Sequence, residues 1–404
     1  MRGLRSARVL VCAVAVGVAG CGGGGAPRSS SPTSTTVSAA PVPGHIITWT
    51  LTSRFVDPAT VKMAEPPAGV AARPNALRVN VYLPAGYDGV RRFPVLYLLH
   101  GASSAYDYWA APERGDLLNT VKGFAGIIVM PEAGDNGWYA NWWNGGQRAN
   151  PAWESFYLDE LIPYVEQHLA VLPGRQNHAI AGVSMGGQGA IYLASQLPGY
   201  FGTAASFSGA VDIESPEWQT AVEGSGDQPL TTIFGDLSAQ HFYWVGHNPT
   251  RLVANLMNTR VYVTVGDGKP QTQADRTKTI ETVGEAVIRP QSLHFSSAAR
   301  AAHVPVTLVL HGGIHDWPYF RHDLADAIHW NLFASVSPAP TTWTYQTVSQ
   351  HGDAYGYKFA FQQPPDAIET FSLDNGTLTG TGSGHVTVTT PTGQNLTLTM
   401  PFTH

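Results

Sequence analysis

The run Asn177-His178-Ala179-Ile180-Ala181-Gly182-Val183-Ser184-Met185-Gly186-Gly187-Gln188-Gly189-Ala190 reads as a short apolar strand, a turn of small residues and the start of a helix. A G-x-S-x-G turn lets the chain reverse sharply from strand to helix, which lifts the Ser184 hydroxyl above a sheet, beside the positive end of the helix. Ile191, Leu193 and Ala194 continue the pattern as a buried helix. The stretch predicts a serine nucleophile on an α/β scaffold.

Working outward, the neighbouring segments fit that scaffold. Phe93–Leu99 (FPVLYLL), Gly126–Met130 (GIIVM), Ala204–Phe207, Val261–Val265 (VYVTV) and Val304–Leu310 (VPVTLVL) are runs of the kind a sheet covered on both faces requires. His45–Ser53 and Leu77–Leu83 alternate and precede them as further strands. Helices are expected over Trp153–Ala170, Thr279–Ile288 and Asp323–Leu332. The fold class is therefore α/β, with a mostly parallel central sheet flanked by helices.

Composition divides the chain into four parts. Arg2, Arg5 and Arg8 precede an apolar run from Val9 to Ala19, too short to span a bilayer, and residues 1–20 read as a secretory signal. Val18-Ala19-Gly20-Cys21 resembles the lipobox of bacterial lipoproteins, in which the cysteine is lipidated and becomes the mature N-terminus. Residues 21–45 are a flexible Gly/Ser/Thr/Pro/Ala tether, 46–337 the α/β part, and 338–404 a small β-rich C-terminal domain with a hairpin signal at Pro391-Thr392-Gly393-Gln394-Asn395. The chain is expected to be secreted across the cytoplasmic membrane and anchored at the cell envelope by lipid on Cys21; free secretion is the alternative. Without the three signal arginines the chain has 20 Lys and Arg against 29 Asp and Glu, a formal charge of −9 that argues against a nucleic-acid partner.

Acyl transfer through serine also needs a base, a carboxylate to hold it and two N–H groups aimed at the oxyanion. The donors fall to the backbone of Met185, next after the serine, and of Ala102 in the loop after Leu99. His315, in the glycine-containing loop after the last strand, is the base; His311 is its rival, and His294, His322 and His329 fit less well. For the acid, position alone favours Asp267, directly after a strand, over Glu285, with Asp212 and Asp236 weaker. His311, His315 and Asp316 suggest a metal site, but Gly312-Gly313 breaks the helix such a histidine spacing would need. No metal or cofactor is expected.

LRVNVYLPAGYDGVRRFPVLYLLHG, AGVSMGGQGA, VYVTVGDGKP, VGEAVIRPQSLHF and GGIHDWPYF together resemble the esterase D-like α/β hydrolases. The nearest branch holds the antigen 85 mycolyltransferases and related secreted actinobacterial esterases. The resemblance implies Ser184 as nucleophile, His315 as base, Met185 and Ala102 as oxyanion donors, and Glu285, within Glu285-Ala286-Val287-Ile288-Arg289, as the acid in place of Asp267. His100 and Ser103 stand where the mycolyltransferases carry aspartate and arginine, near the acceptor, which favours ester hydrolysis over transfer to a sugar. Trp138, Trp142, Trp143 and Trp317 are expected on the substrate side, against an acyl chain or a sugar; packing beneath the C-terminal domain is the other reading of the Trp138–Trp143 cluster. The substrate expected is an acyl ester of a lipid or glycolipid. Mycolyltransferase-like transfer and a non-catalytic glycan- or lipid-binding role are the alternatives.

Overall fold

Apolar runs without polar alternation cannot face water on either side, and the four that do this most completely become the middle of the sheet. A computed structural model describes residues 43–64, 76–148, 150–224 and 228–404. The signal, most of the tether and Cys21 lie outside the described residues. Among the described residues the large sheet has eight strands: β1 (His45–Leu51), β2 (Leu77–Leu83), β3 (Val95–Leu99), β4 (Ile127–Pro131), β5 (His178–Val183), β6 (Thr203–Phe207), β7 (Arg260–Val265) and β8 (Val306–Leu310). Their order is β1-β2-β4-β3-β5-β6-β7-β8. β1 and β2 run antiparallel to their neighbours, and every pair from β4 to β8 is parallel. β3, β4, β5 and β6 are buried along their whole length.

Three expectations are corrected. β8 reads as a buried strand, yet it lies at one edge of the sheet, and its residues are half-buried or exposed. The helix expected over Thr279–Ile288 continues to Ala301 through Pro290. Proline removes one hydrogen bond there, but Ser292, Phe295 and Ala299 beyond it are buried, and tertiary packing of that half outweighs the loss. The closing helix starts at Trp317 rather than Asp323, because Pro318 fits the first turn, where no N–H is needed.

Residues beyond 341 form two four-stranded antiparallel sheets. One is built from β10 (His351–Ala354), β11 (Tyr357–Phe361), β14 (His385–Thr389) and β15 (Asn395–Thr399), the other from β9 (Thr342–Thr347), β12 (Glu369–Asp374), β13 (Thr377–Thr381) and β16 (Phe402–Thr403). Trp343, Tyr345, Phe359 and Phe371 fill the space between them. This sandwich belongs to the same compact unit as the large sheet. Side chains cross between the two: Tyr345 Oη donates to the Gln196 carbonyl at 3.2 Å, Asn255 Nδ2 to the Gln346 carbonyl at 2.8 Å, and Arg148 to the Pro365 carbonyl at 2.7 Å.

Ser349 Oγ donates to Glu154 Oε1 at 2.8 Å, and Tyr192 Oη to Glu154 Oε2 at 2.9 Å. Glu154 is 3% exposed, and burial pushes its carboxyl up to about 7 despite both hydroxyls. Between roughly pH 4.5 and 7 the unfolded chain ionises this group while the folded protein keeps it protonated, so stability is whole below that window and falls by about 3 kcal/mol across it. Glu154→Gln should therefore flatten the decline of Tm between pH 5 and pH 8. A variant whose Tm declines as steeply as the parent's would show that Glu154 is not its source.

Candidate active site

Ser184 sits between β5 and the helix Met185–Gln196 with φ 56° and ψ −120°, a conformation rarely adopted by residues other than glycine. The surroundings over-determine it. Its N–H donates to the Phe207 carbonyl at 3.0 Å, and its carbonyl accepts from Gly187 N at 2.9 Å and Gln188 N at 3.1 Å. A Cβ on Gly186 would lie 2.5 Å from the His100 carbonyl oxygen and 2.7 Å from that of Leu99, both backbone atoms that cannot swing aside. Gly186→Ala should cost about 1–3 kcal/mol or more through forced backbone displacement. The measurement is Tm, and an unchanged value would show that the turn can open.

The loop after β3 lies against the serine: a Cβ on Gly101 would be 3.2 Å from that of Ser184. Tyr139 Oη donates to the His100 carbonyl at 2.8 Å, Trp109 Nε1 to that of Leu99 at 2.9 Å, and Ser103 N to that of Asp135 at 2.8 Å. These bonds hold the loop from three sides. The N–H groups of Ala102 and Met185 have no acceptor among the described residues. Two main-chain donors beside a raised serine are suited to an anionic oxygen.

Glu285 and His315 meet at the same end of the sheet. Glu285 is fully buried on the long helix, and its Oε2 is 2.7 Å from His315 Nδ1. Its Oε1 accepts from Ser208 Oγ at 2.7 Å and from the N–H of Gly266. Burial alone would raise its pKa, but the hydrogen bond and charge of His315, with Ser208 and Gly266, hold it below the ordinary value. The His315 N–H donates to the Glu281 carbonyl at 2.9 Å, so ring and backbone are both tied to one helix. Ser208 completes a chain of contacts to the nucleophile, since Phe207, its neighbour, accepts from Ser184 N. Ser208 was not singled out from sequence; its place directly after a strand was the available signal.

Asp267 does not face the histidine. Its Oδ1 accepts from Lys269 N at 3.0 Å and Gly313 N at 3.1 Å, which braces the histidine loop from behind. His311 turns away from Glu285 to the buried Asp323, with Nε2 3.1 Å from its Oδ1.

Most of the residues expected on the substrate side are buried or half-buried. His100 is 1% exposed; Ala133 N donates to its Nε2 at 3.0 Å, so the proton is on Nδ1, which bonds the Gly101 carbonyl at 2.8 Å. It shapes the loop from inside. Trp138 and Trp142 are buried core residues, Trp138 edge-on to Trp218 with ring centroids 4.9 Å apart. Their polar neighbours suggested an open platform, but left-handed backbone at Trp138 and Tyr139 turns the chain inward, and Gly189 leaves room for the Tyr139 ring. Trp317 is likewise buried, edge-on to Trp109 at 5.2 Å. Trp143 is half-buried between Tyr243 and the Arg148 guanidinium, which donates to the Pro365 carbonyl of the sandwich segment. Ser103 alone of the six is exposed.

A family model described as "Putative esterase" matches residues 71–330. Esterase Rv1288 of Mycobacterium tuberculosis is 28% identical over 235 residues, which cover 56% of this chain and 50% of that protein, so the chain spans about half the length of this relative. The diacylglycerol acyltransferase/mycolyltransferase Ag85A of Mycobacterium gordonae is 30% identical over 252 residues, covering 58% of this chain and 70% of the relative. An S-formylglutathione hydrolase from Agrobacterium tumefaciens superposes with a TM-score of 0.54 at 18% identity, covering 72% of this chain and 95% of that one. A ferulic acid esterase gives 0.52 at 23% identity, covering 72% and 98%. Both likenesses show the α/β-hydrolase fold. The matched span begins ahead of β2 and ends just past the helix Trp317–His329, and the chain therefore belongs to the esterase family that this model defines.

Proposed function

We propose that the protein is a serine esterase or acyltransferase that works through an acyl-Ser184 intermediate. The observation that carries this reading is the buried Glu285–His315 hydrogen bond of 2.7 Å, built from the loop after β8 and joined through Ser208 and Phe207 to the Ser184 turn. His315 Nε2 takes the Ser184 proton as Oγ attacks the ester carbonyl. The N–H groups of Met185 and Ala102 receive the charge that develops on oxygen. Collapse of the tetrahedral intermediate breaks the C–O bond, and His315 returns the proton to the departing alcohol. Water or a second alcohol then attacks the acyl-serine with His315 again as base, and Ser184 is released. Glu285 fixes the imidazole tautomer and offsets its positive charge.

Hydrolysis of acyl esters of lipid or glycolipid type is the favoured outcome. His100 is sealed inside the loop and Ser103 is uncharged, so neither offers an acceptor alcohol an ionic partner. Transfer, the activity for which the Ag85 relatives are named, is the alternative. We further place the protein at the cell envelope through lipid on Cys21, on the strength of the arginines and apolar run before it. Cys21→Ser should then release the protein into the medium.

A fluorophosphonate should label one peptide, that carrying Ser184, and abolish ester hydrolysis in proportion to labelling. Labelling at another serine, or hydrolysis that survives full labelling, would discard the reading. With a trehalose monoacyl ester as substrate, free acid in the mass spectrum identifies hydrolysis, and a diacylated sugar identifies transfer.

A further inference from the structure

His311 directly follows β8 and Asp323 lies in the helix Trp317–His329, so the two stand on either side of His315 in the chain, and they meet. His311 Nε2 is 3.1 Å from Asp323 Oδ1 with its N–H off the line to that oxygen, which makes the contact an ion pair rather than an aligned hydrogen bond. Asp323 is 1% exposed, and its Oδ2 has no hydrogen-bond partner among the described residues, so His311 is its chief counter-charge. Gly312 and Gly313 carry no side chain to hold the loop, which is otherwise tied by Gly313 N to Asp267 and by Gly268 N to the Gly313 carbonyl at 2.9 Å. The pair therefore closes the foot of the segment that carries His315. His311 Nδ1 is 3.1 Å from the Gly312 carbonyl, which can only accept, so Nδ1 carries a proton. Nε2 must carry one too unless Asp323 does, because a bare ring nitrogen and a bare carboxylate oxygen at that separation repel. One proton belongs to the contact itself.

We propose that His311 is a positioning residue for the reaction: the proton it shares with Asp323 fastens the two ends of the His315 loop together, and turnover fails when that proton leaves, a role that rests on His315 being the base. Burial opposes a charged ring, but Asp323, the Gly312 carbonyl and Glu285 outweigh it and raise His311 to about 9. Burial also pushes Asp323 up, so the pair keeps its proton at neutral pH whichever partner carries it. Four other groups around the pair stay in one state near pH 9. Glu285, on the long helix, is held below its ordinary value and is ionised. Asp267, behind the loop, is held low against burial by the N–H groups of Gly313 and Lys269. Tyr262 on β7, which also meets Asp326, and Tyr319, whose ring lies parallel to that of His311 and whose hydroxyl donates to Asp275, are each pushed up to about 12 by burial. Above pH 9 a buried carboxylate would face a bare ring nitrogen, the ring must swing away, and the start of the His315 loop goes with it.

The test follows p-nitrophenyl butyrate hydrolysis by the full chain from neutral to strongly alkaline pH, with fluorophosphonate labelling of Ser184 and histidine ¹⁵N NMR alongside. The parent's kcat should fall about tenfold or more on an alkaline limb near pH 9, and the His311 ring signals should move with the same midpoint. Asp323→Asn should keep at least about a third of the kcat at neutral pH, because its amide N–H can donate to a neutral Nε2, and it should lack the limb. His311→Phe, which keeps the ring but no ring proton, should lower kcat about tenfold or more with KM within about threefold of the parent. Should that variant not fold, His311→Phe combined with Asp323→Leu removes the stranded carboxylate and should show the same loss. A limb that persists in Asp323→Asn, or parental kcat in the His311→Phe variants, would overturn the proposal. A parent that is not labelled at Ser184 would fault the catalytic reading instead. The NMR midpoint does not depend on turnover, and His311 signals that move near about 6.5, the ordinary histidine value, would overturn the shared proton in either case.

Discussion

Ser184→Ala should lower kcat/KM for p-nitrophenyl butyrate by about 10⁵- to 10⁶-fold, the scale on which serine hydrolases lose turnover when the nucleophile is removed. The variant retains the turn, because the main-chain bonds of residue 184 to Phe207, Gly187 and Gln188 do not involve its side chain. Tm should therefore stay close to that of the parent. KM carries separate information. If the oxyanion donors and the acyl site survive, residual substrate binding should persist with little change, and the whole loss should appear in kcat. Turnover near the parental rate would place the nucleophile elsewhere.

The second large effect is expected at the acid. Glu285→Gln should reduce kcat by about 10⁴-fold, as amide replacement of the acid does in other serine hydrolases. The amide oxygen can still accept from Ser208 and Gly266, which leaves the NH₂ facing His315 Nδ1. An NH₂ can only donate, so the imidazole must move its proton to Nε2, the atom that has to accept from Ser184. The geometry survives and the tautomer is wrong. Asp267→Asn should keep at least about a tenth of the activity, since Asp267 accepts from two backbone N–H groups and an amide oxygen can do the same. An active Glu285→Gln beside an inactive Asp267→Asn would reverse the assignment of the acid.

The Ser184 turn could be read directly because its chemistry is local: two glycines, one serine, a strand before and a helix after. Glu285 could not be read that way. Position in the chain favours Asp267, which does follow its strand, but the helix after β7 returns across the sheet end and brings Glu285, two turns in, under the histidine. Only the resemblance of its surrounding residues picked it out. Ser208 escaped notice for the same reason, since its partner is 77 positions away. The aromatic stretch misled in another way. A run mixing Trp, Tyr, Asn and Gly carries no period, and nothing in it announces that Trp138 and Tyr139 adopt left-handed backbone and turn inward. The exposure of β8 was hidden because an apolar strand at a sheet edge has the same sequence pattern as one in the middle.

The family match ends at residue 330, yet the matched part sends side chains past that limit: Glu154 to Ser349, Asn255 to Gln346, Arg175 to Ser337. A gene fusion that merely appended the sandwich would have left two surfaces each complete without the other. Here each surface holds the counterpart of the other's polar groups, so neither is complete without the other. Swapping the sandwich for that of a relative, or cutting the chain at residue 337 to obtain a minimal enzyme, would take Ser349 from the buried Glu154 carboxyl, Gln346 from the Asn255 amide and the Pro365 carbonyl from the Arg148 guanidinium at once. The part of the chain that matches the family model should consequently lose stability when it is excised or given another sandwich.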